Sequence, residues 1–210
     1  MTTALERLAP DRRRTLVRVA AEEFAAAGYA GASLNRIIAA LGMSKSSFYH
    51  LLAAKQELFE LTAGDLAAQV GAELQIPDPG AFAGGQFWPM VQDLVAQLTG
   101  ALVGNEDALL LGRMVYAGSA PAVGAIGRVE AWVGELLATG RGAGQVRTDL
   151  PAELQQQLVA AVLRTLDEWA VHHEEALATG SAEHFTGRVF DLLHRMLATD
   201  RAPLRRSRSD

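Results

Sequence analysis

From Gly28 to Leu58 the chain is interrupted so closely that only short helices fit. Ser33 can cap a helix, because its hydroxyl accepts one of the orphan amides of a first turn. Leu34, Ile37, Ile38 and Leu41 then recur at helical spacing and form one buried stripe. Gly42 follows the last apolar position and can take the left-handed conformation that ends a helix. Ser44 is a second cap only two residues later, and the helix it opens has one large inward residue, Phe48. The spacing predicts helices over 34–41 and 45–51 joined by a glycine turn. A helix that short is not stable alone, so packing on its neighbours must hold it. Two such helices make a helix-turn-helix, whose second helix is shaped to enter the DNA major groove.

The outward residues of the second helix suit that use. Lys45 is a mobile positive donor. Ser44, Ser46 and Ser47 are short donors that let the backbone come close, and Tyr49 and His50 can donate to phosphate oxygens. Phosphate contacts fix register, and contacts to base edges read sequence. The alternative reading is a solvated polar helix in an unrelated bundle.

This segment resembles the N-terminal domain of the TetR family of transcriptional repressors. The likeness extends back through Arg14, Leu16, Val17, Val19, Ala20 and Phe24 to the pair Gly28-Tyr29, and forward without a gap to Leu58. It implies a homodimer on a near-palindromic operator in double-stranded DNA, released by a small molecule held in the C-terminal domain. By position, Ser33, Asn35, Lys45, Ser46, Ser47, Tyr49, His50 and Lys55 fall where the family contacts DNA, with Arg36 adjacent. One departure stands out. Where the family has an aromatic pair and a small capping residue, this chain has Leu51, Leu52, Ala53 and Ala54. Ala54 cannot cap the next helix, a loss of about 0.5–2 kcal/mol relative to Ser or Asp.

The net charge of −5 looks wrong for a DNA-binding protein until it is divided. Residues 1–55 carry eight basic and four acidic side chains, a net +4. Residues 56–200 carry seven against nineteen, a net −12, and the last ten residues are +3. The positive charge sits where phosphate contacts belong, and the acidic remainder would orient the approach. Cysteine is absent, so neither a disulfide framework nor a thiolate metal site is expected. Neither a secretion signal nor a membrane-spanning apolar run is evident, which leads us to expect a soluble, cytoplasmic protein.

The expected fold is all-α, with about nine or ten helices. A helix-turn-helix domain over 1–55 would precede a larger helical effector-binding and dimerisation domain over 56–200, then a disordered basic tail over 201–210. The first helix is expected at 11–27, and a linking helix at 55–74. The clearest break runs from Pro77 to Gly85. Further helices are expected at 86–103, after Asn105, from Pro121 to the glycine loop 140–144, from Pro151 to about Glu175, and from Ser181 to about Thr199.

The last two carry apolar stripes, Leu154, Leu158, Ala161 and Val162, then Val189, Leu192, Leu193 and Met196. They are read as a dimer surface or, alternatively, as an internal core face. Trp88, Leu110, Arg113, Met114, Trp132 and Trp169 are the candidate ligand-binding residues, because large or adaptable side chains among helix glycines fit a cavity for a small, largely apolar effector. Arg113 could hold a ligand carboxylate or pair with an internal acid, with Arg164 and Asp167 as possible internal partners. Glu168 and His172 have metal-ligand spacing without an evident third ligand, and His173, His184 and His194 are placed by no motif. No catalytic arrangement, metal or cofactor is expected. The expected function is a ligand-responsive repressor, and the alternative is a helical enzyme or small-ligand carrier using the C-terminal cavity.

Overall fold

A computed structural model describes residues 8–117, 124–177 and 181–199, with the backbone alone at Ala125. The described residues form ten α-helices: α1 (Pro10–Gly31), α2 (Leu34–Ala40), α3 (Lys45–Leu51), α4 (Lys55–Glu73), α5 (Phe87–Gly104), α6 (Glu106–Tyr116), α7 (Gly124–Gly142), α8 (Ala152–His172), α9 (Glu174–Ala176) and α10 (Ala182–Leu197). Among them there is no strand, only an isolated antiparallel bridge between Val146 and Ala198. No helix among them is long and apolar enough to cross a membrane. Pro121 and residues 201–210 lie outside the described set.

Two apolar cores hold the chain. The first gathers Leu16, Val17, Ala20 and Phe24 from α1, Ile37 and Ile38 from α2, Phe48 from α3, and Leu58, Phe59, Ala63 and Leu66 from α4. The helical periodicity of each segment points these residues to one side. Phe59 meets Phe24 and Tyr29 edge-on, at centroid distances of 5.0 and 5.3 Å. The core runs across residue 55 without interruption and takes in Met114 of α6. The second core joins Phe87, Val91 and Leu94 of α5, Val133 and Leu137 of α7, Val159 of α8, and Val189, Leu193 and Leu197 of α10.

The expected first helix ends where sequence places it and then resumes. Gly28 stands at φ 66°, ψ 167°, inside α1, and the helix continues past this kink to Gly31. That backbone region is accessible to glycine almost alone. A Cβ at Gly28 would also lie less than 3.0 Å from the Ala117 carbonyl oxygen. The kink thus seats the end of α1 directly on the end of α6. On its other side α6 lies against α8, where Gly112 meets the Val171 side chain.

The break at 77–85 is not a loose linker. Pro79–Phe82 form one 3-10 turn, with Pro79 and Phe82 buried. Trp132 Nε1 donates to the Pro77 carbonyl at 3.1 Å, and its ring meets Phe82. The long helix expected to reach Glu175 stops at His172, and α9 follows as a single short turn. At the C-terminal end, Arg147 N donates to Leu197 O at 2.8 Å, tying the loop after α7 to the end of α10. Gln155, a buried polar side chain, is satisfied there. Its amide donates to Arg147 O, and its carbonyl accepts from Arg141.

Candidate nucleic-acid interface

The short helices are built by the two serine caps. Ser33 Oγ accepts from Arg36 N, and Ser44 Oγ accepts from Ser47 N at 3.1 Å. The Ser44 and Ser47 hydroxyls also bond each other at 2.8 Å, so both are engaged in the cap. Gly42, at φ 61°, makes the turn between the helices. Phe48 is fully buried and anchors α3 from beneath. Burying such a ring is worth about 1.5–3 kcal/mol, which fixes a helix too short to persist unaided.

The opposite face of α3 is open. Lys45, Ser46, Tyr49 and His50 are exposed, and Tyr49 has half its surface in solvent. Lys45 and Tyr49 stand one turn apart, as do Ser46 and His50, so the four share one side of the helix. Asn35 is exposed on α2. Cation, hydroxyl, phenol and imidazole on one rigid side supply donors for phosphate and for base edges.

Two other proposed DNA contacts, Arg36 and Lys55, are engaged in bonds within the chain. Arg36 forks onto Glu23 of α1, with Nε at 2.9 Å from one carboxylate oxygen and 3.0 Å from the other. Glu23 also accepts from Ser33 N at 2.7 Å. The Arg36 guanidinium, reinforced by that amide, holds the Glu23 carboxyl below its ordinary range. Lys55 Nζ donates to Ala30 O at 3.0 Å and Ala32 O at 2.7 Å, and lies 5.1 Å from the Tyr29 ring centroid. Ala54 makes no side-chain cap, but Glu57 accepts from Ala53 N at 2.8 Å and satisfies one amide there. Sequence reasoning missed both glutamates. Glu57 had a readable signal, an acid three residues after the capping position. Glu23 had none, because its partners lie 10 and 13 residues away.

Two further ion-pair sets fix this unit to the rest of the chain. Arg13 pairs with Asp65 of α4 through bonds of 2.5 and 2.6 Å. Arg18 reaches Glu106 at 3.1 Å and Asp107 at 3.2 Å, both in the first turn of α6.

The six candidate ligand residues are not brought together. Met114 and Leu110 belong to the first core. Trp88 and Trp132 pack on the second, with Trp88 against Phe87, Phe190 and His194. Arg113 takes the alternative of pairing with an acid of the chain, and that acid is Glu174 rather than Asp167. Trp169 is exposed on α8 and stacks with His173 and with Phe185. Gly112 abuts the Val171 side chain. A cleft of about 580 Å³ lies elsewhere, between α7 and α8, lined by Glu130, Gln156, Gln157, Ala161 and Arg164 among others. Glu168 and His172 meet only through a backbone carbonyl, Glu168 O to His172 Nδ1 at 2.7 Å.

The two apolar stripes also divide. Leu154, Leu158, Ala161 and Leu192 are exposed. Val189 and Leu193 are buried in the chain's own core, and Val162 and Met196 are partly buried against it. A stripe that wide wraps past one face of a helix, so its inner members fill the core while its outer members face solvent.

Residues 16–62 match the family model of bacterial regulatory proteins, tetR family. Similar solved structures cover nearly the whole chain. A TetR family transcriptional regulator from Chloroflexus aurantiacus is 17% identical over 93% of this chain and 97% of its own, with a TM-score of 0.66. SmeT, the repressor of the Stenotrophomonas maltophilia multidrug efflux pump SmeDEF, is 16% identical over 90% and 91%, with a TM-score of 0.64. NalD, the secondary repressor of the MexAB-OprM multidrug efflux pump in Pseudomonas aeruginosa, is 16% identical over 90% and 98%, with a TM-score of 0.61. At these identities the likeness is one of fold. No relative among curated proteins matches the sequence.

Proposed function

We propose, for a chain whose N-terminal domain belongs to the tetR family of bacterial regulatory proteins, that it acts as a ligand-responsive transcriptional repressor binding operator DNA as a homodimer. The observation that carries this reading is the open face of α3. Its four outward side chains are all polar or cationic, and the helix beneath them is pinned by the buried Phe48 and the Ser44 cap. A short helix fixed in that way can present donors to a groove with little ordering cost on binding.

The partner copy would sit on the exposed apolar side of α8 and α10, where Leu154, Leu158, Trp169 and Leu192 are uncovered. A two-fold axis there would place two α3 helices about one turn of DNA apart, about 34–36 Å, and make the operator a near-palindrome. The chain would work in the cytoplasm, over a 1–55 reading head and a 56–200 effector domain.

The effector would be a small, largely apolar molecule held in the C-terminal domain, and α6 would carry its effect to the reading head. That helix lies against α1 and α4 on one side and α8 on the other. Such an effector must bind better to the geometry that DNA disfavours, with coupling of about 1–3 kcal/mol. The test of the DNA reading is selection from a random duplex pool. Wild-type protein should enrich an inverted repeat, and recovery of no enriched sequence would overturn the proposal.

A further inference from the structure

We infer that Lys55 is a positioning residue for DNA reading and not a phosphate contact. Its ammonium locks the start of α4 to the corner between α1 and α2. This deepens the proposed DNA-binding function and rests on it.

Lys55 is the first residue of α4. A cation there opposes the positive end of the α4 dipole, so the position needs another reason. Its ammonium lies instead against the end of α1. Ala30 and Ala32 have carbonyls at a helix terminus, where no further turn supplies donors. Lys55 Nζ donates to both, at 3.0 and 2.7 Å. Only one of its three donors is left, and the Tyr29 ring lies 5.1 Å away. A cation at the negative end of α1 satisfies orphan acceptors and dipole together.

The negative charge that balances it is near as well. Glu23 lies on the same corner, bonded to Arg36 and to Ser33 N. Reaching a phosphate would pull Nζ from two carbonyls that accept from no backbone donor outside the helices among the described residues. The corner so fixed carries Ser33, the cap of α2, and α2 in turn packs on α3. Lys55 therefore transmits the position of α4 to the reading helix. DNA contact is left to the free cation and donors of α3.

Salt dependence separates the two roles. Each phosphate neutralised contributes about 0.9 to the slope of log affinity against log salt. The assay is fluorescence anisotropy with a duplex that wild-type protein selects from a random pool, across a salt series. Lys45→Met should lower the slope by about 0.9 per reading head if Lys45 meets one phosphate. Lys55→Met should reduce affinity at least about tenfold with the wild-type slope retained, and should lower the melting temperature. Lys55→Gln keeps a donor without the charge. It should recover part of the affinity, again with the wild-type slope, and it serves if the methionine variant folds poorly. A slope reduced in Lys55→Gln as in Lys45→Met would overturn the assignment. Affinity unchanged in Lys55→Met would also overturn it. Failure of the wild-type protein to bind any duplex would instead remove the DNA reading, and this assignment with it.

Discussion

Replacing Gly28 with alanine tests the joint between the reading head and the rest of the chain. Two costs can be read from the structure. The backbone at φ 66°, ψ 167° is a region that an alanine occupies only under strain, at about 1–3 kcal/mol. The new Cβ would fall within 3.0 Å of the Ala117 carbonyl oxygen, which is main chain and cannot swing aside. Moving the end of α6 to relieve it is an overpacking cost of about 1–3 kcal/mol. Together these give about 2–6 kcal/mol. Near the middle of that range, the melting temperature should fall by roughly 8–16 °C for a chain of this size. The control is Gly71→Ala on α4, where an added Cβ meets nothing within 4 Å. That change should stabilise by about 0.4–1 kcal/mol. Both are measured by thermal melts at one protein concentration, since assembly shifts the midpoint. A Gly28→Ala midpoint equal to wild type would refute the argument that α1 is seated on α6 through this glycine.

Glu23→Gln should remove an acid-sensitive part of the stability. The Glu23 carboxyl is held below its ordinary value by Arg36, so its contribution is present above the usual glutamate range and fades as pH falls through the depressed value. The stability gap between wild type and variant should thus be constant near neutrality and narrow below about pH 4. A gap that persists in acid contradicts it. Leu158→Glu, on the exposed side of α8, should give a folded monomer with weakened DNA binding. Sedimentation showing an intact dimer would place the interface elsewhere. Gly112→Leu should destabilise the fold, because the side chain is driven into Val171. Adding Val171→Ala should restore part of the loss, with a coupling of about 0.5–3 kcal/mol, and strict additivity would mean the two do not touch.

The reading head was legible in sequence because its signals are local. Ser33, Gly42 and Ser44 fix helix ends through partners three residues away, and Phe48 marks the buried side by spacing alone. Lys55 was legible as a residue but not as a role, since its carbonyl partners lie 23 and 25 residues back. The segment 77–85 was legible as a break by composition, but the burial of Pro79 and Phe82 was not, because the ring that meets Phe82, Trp132, lies far along the chain on α7. Periodicity marked α10 as amphipathic but could not separate Leu192, which is exposed, from Val189 and Leu193, which fill the core. Large apolar residues of the middle helices were read as a cavity lining. Their partners are long-range, and the fold distributes Met114 and Trp88 to different cores.

The open face of α3 is the proposed DNA-holding surface. The direct measurement is binding of the selected duplex by wild-type, Lys45→Ala and Tyr49→Ala proteins, with thermal melts run in parallel. Both positions are exposed, so their stabilities should stay within about 0.5 kcal/mol of wild type. Affinity should nevertheless fall in both variants. If Lys45 reads a base, the loss should concentrate at one operator position by about 1–3 kcal/mol. Wild-type affinity in both folded variants would contradict the account.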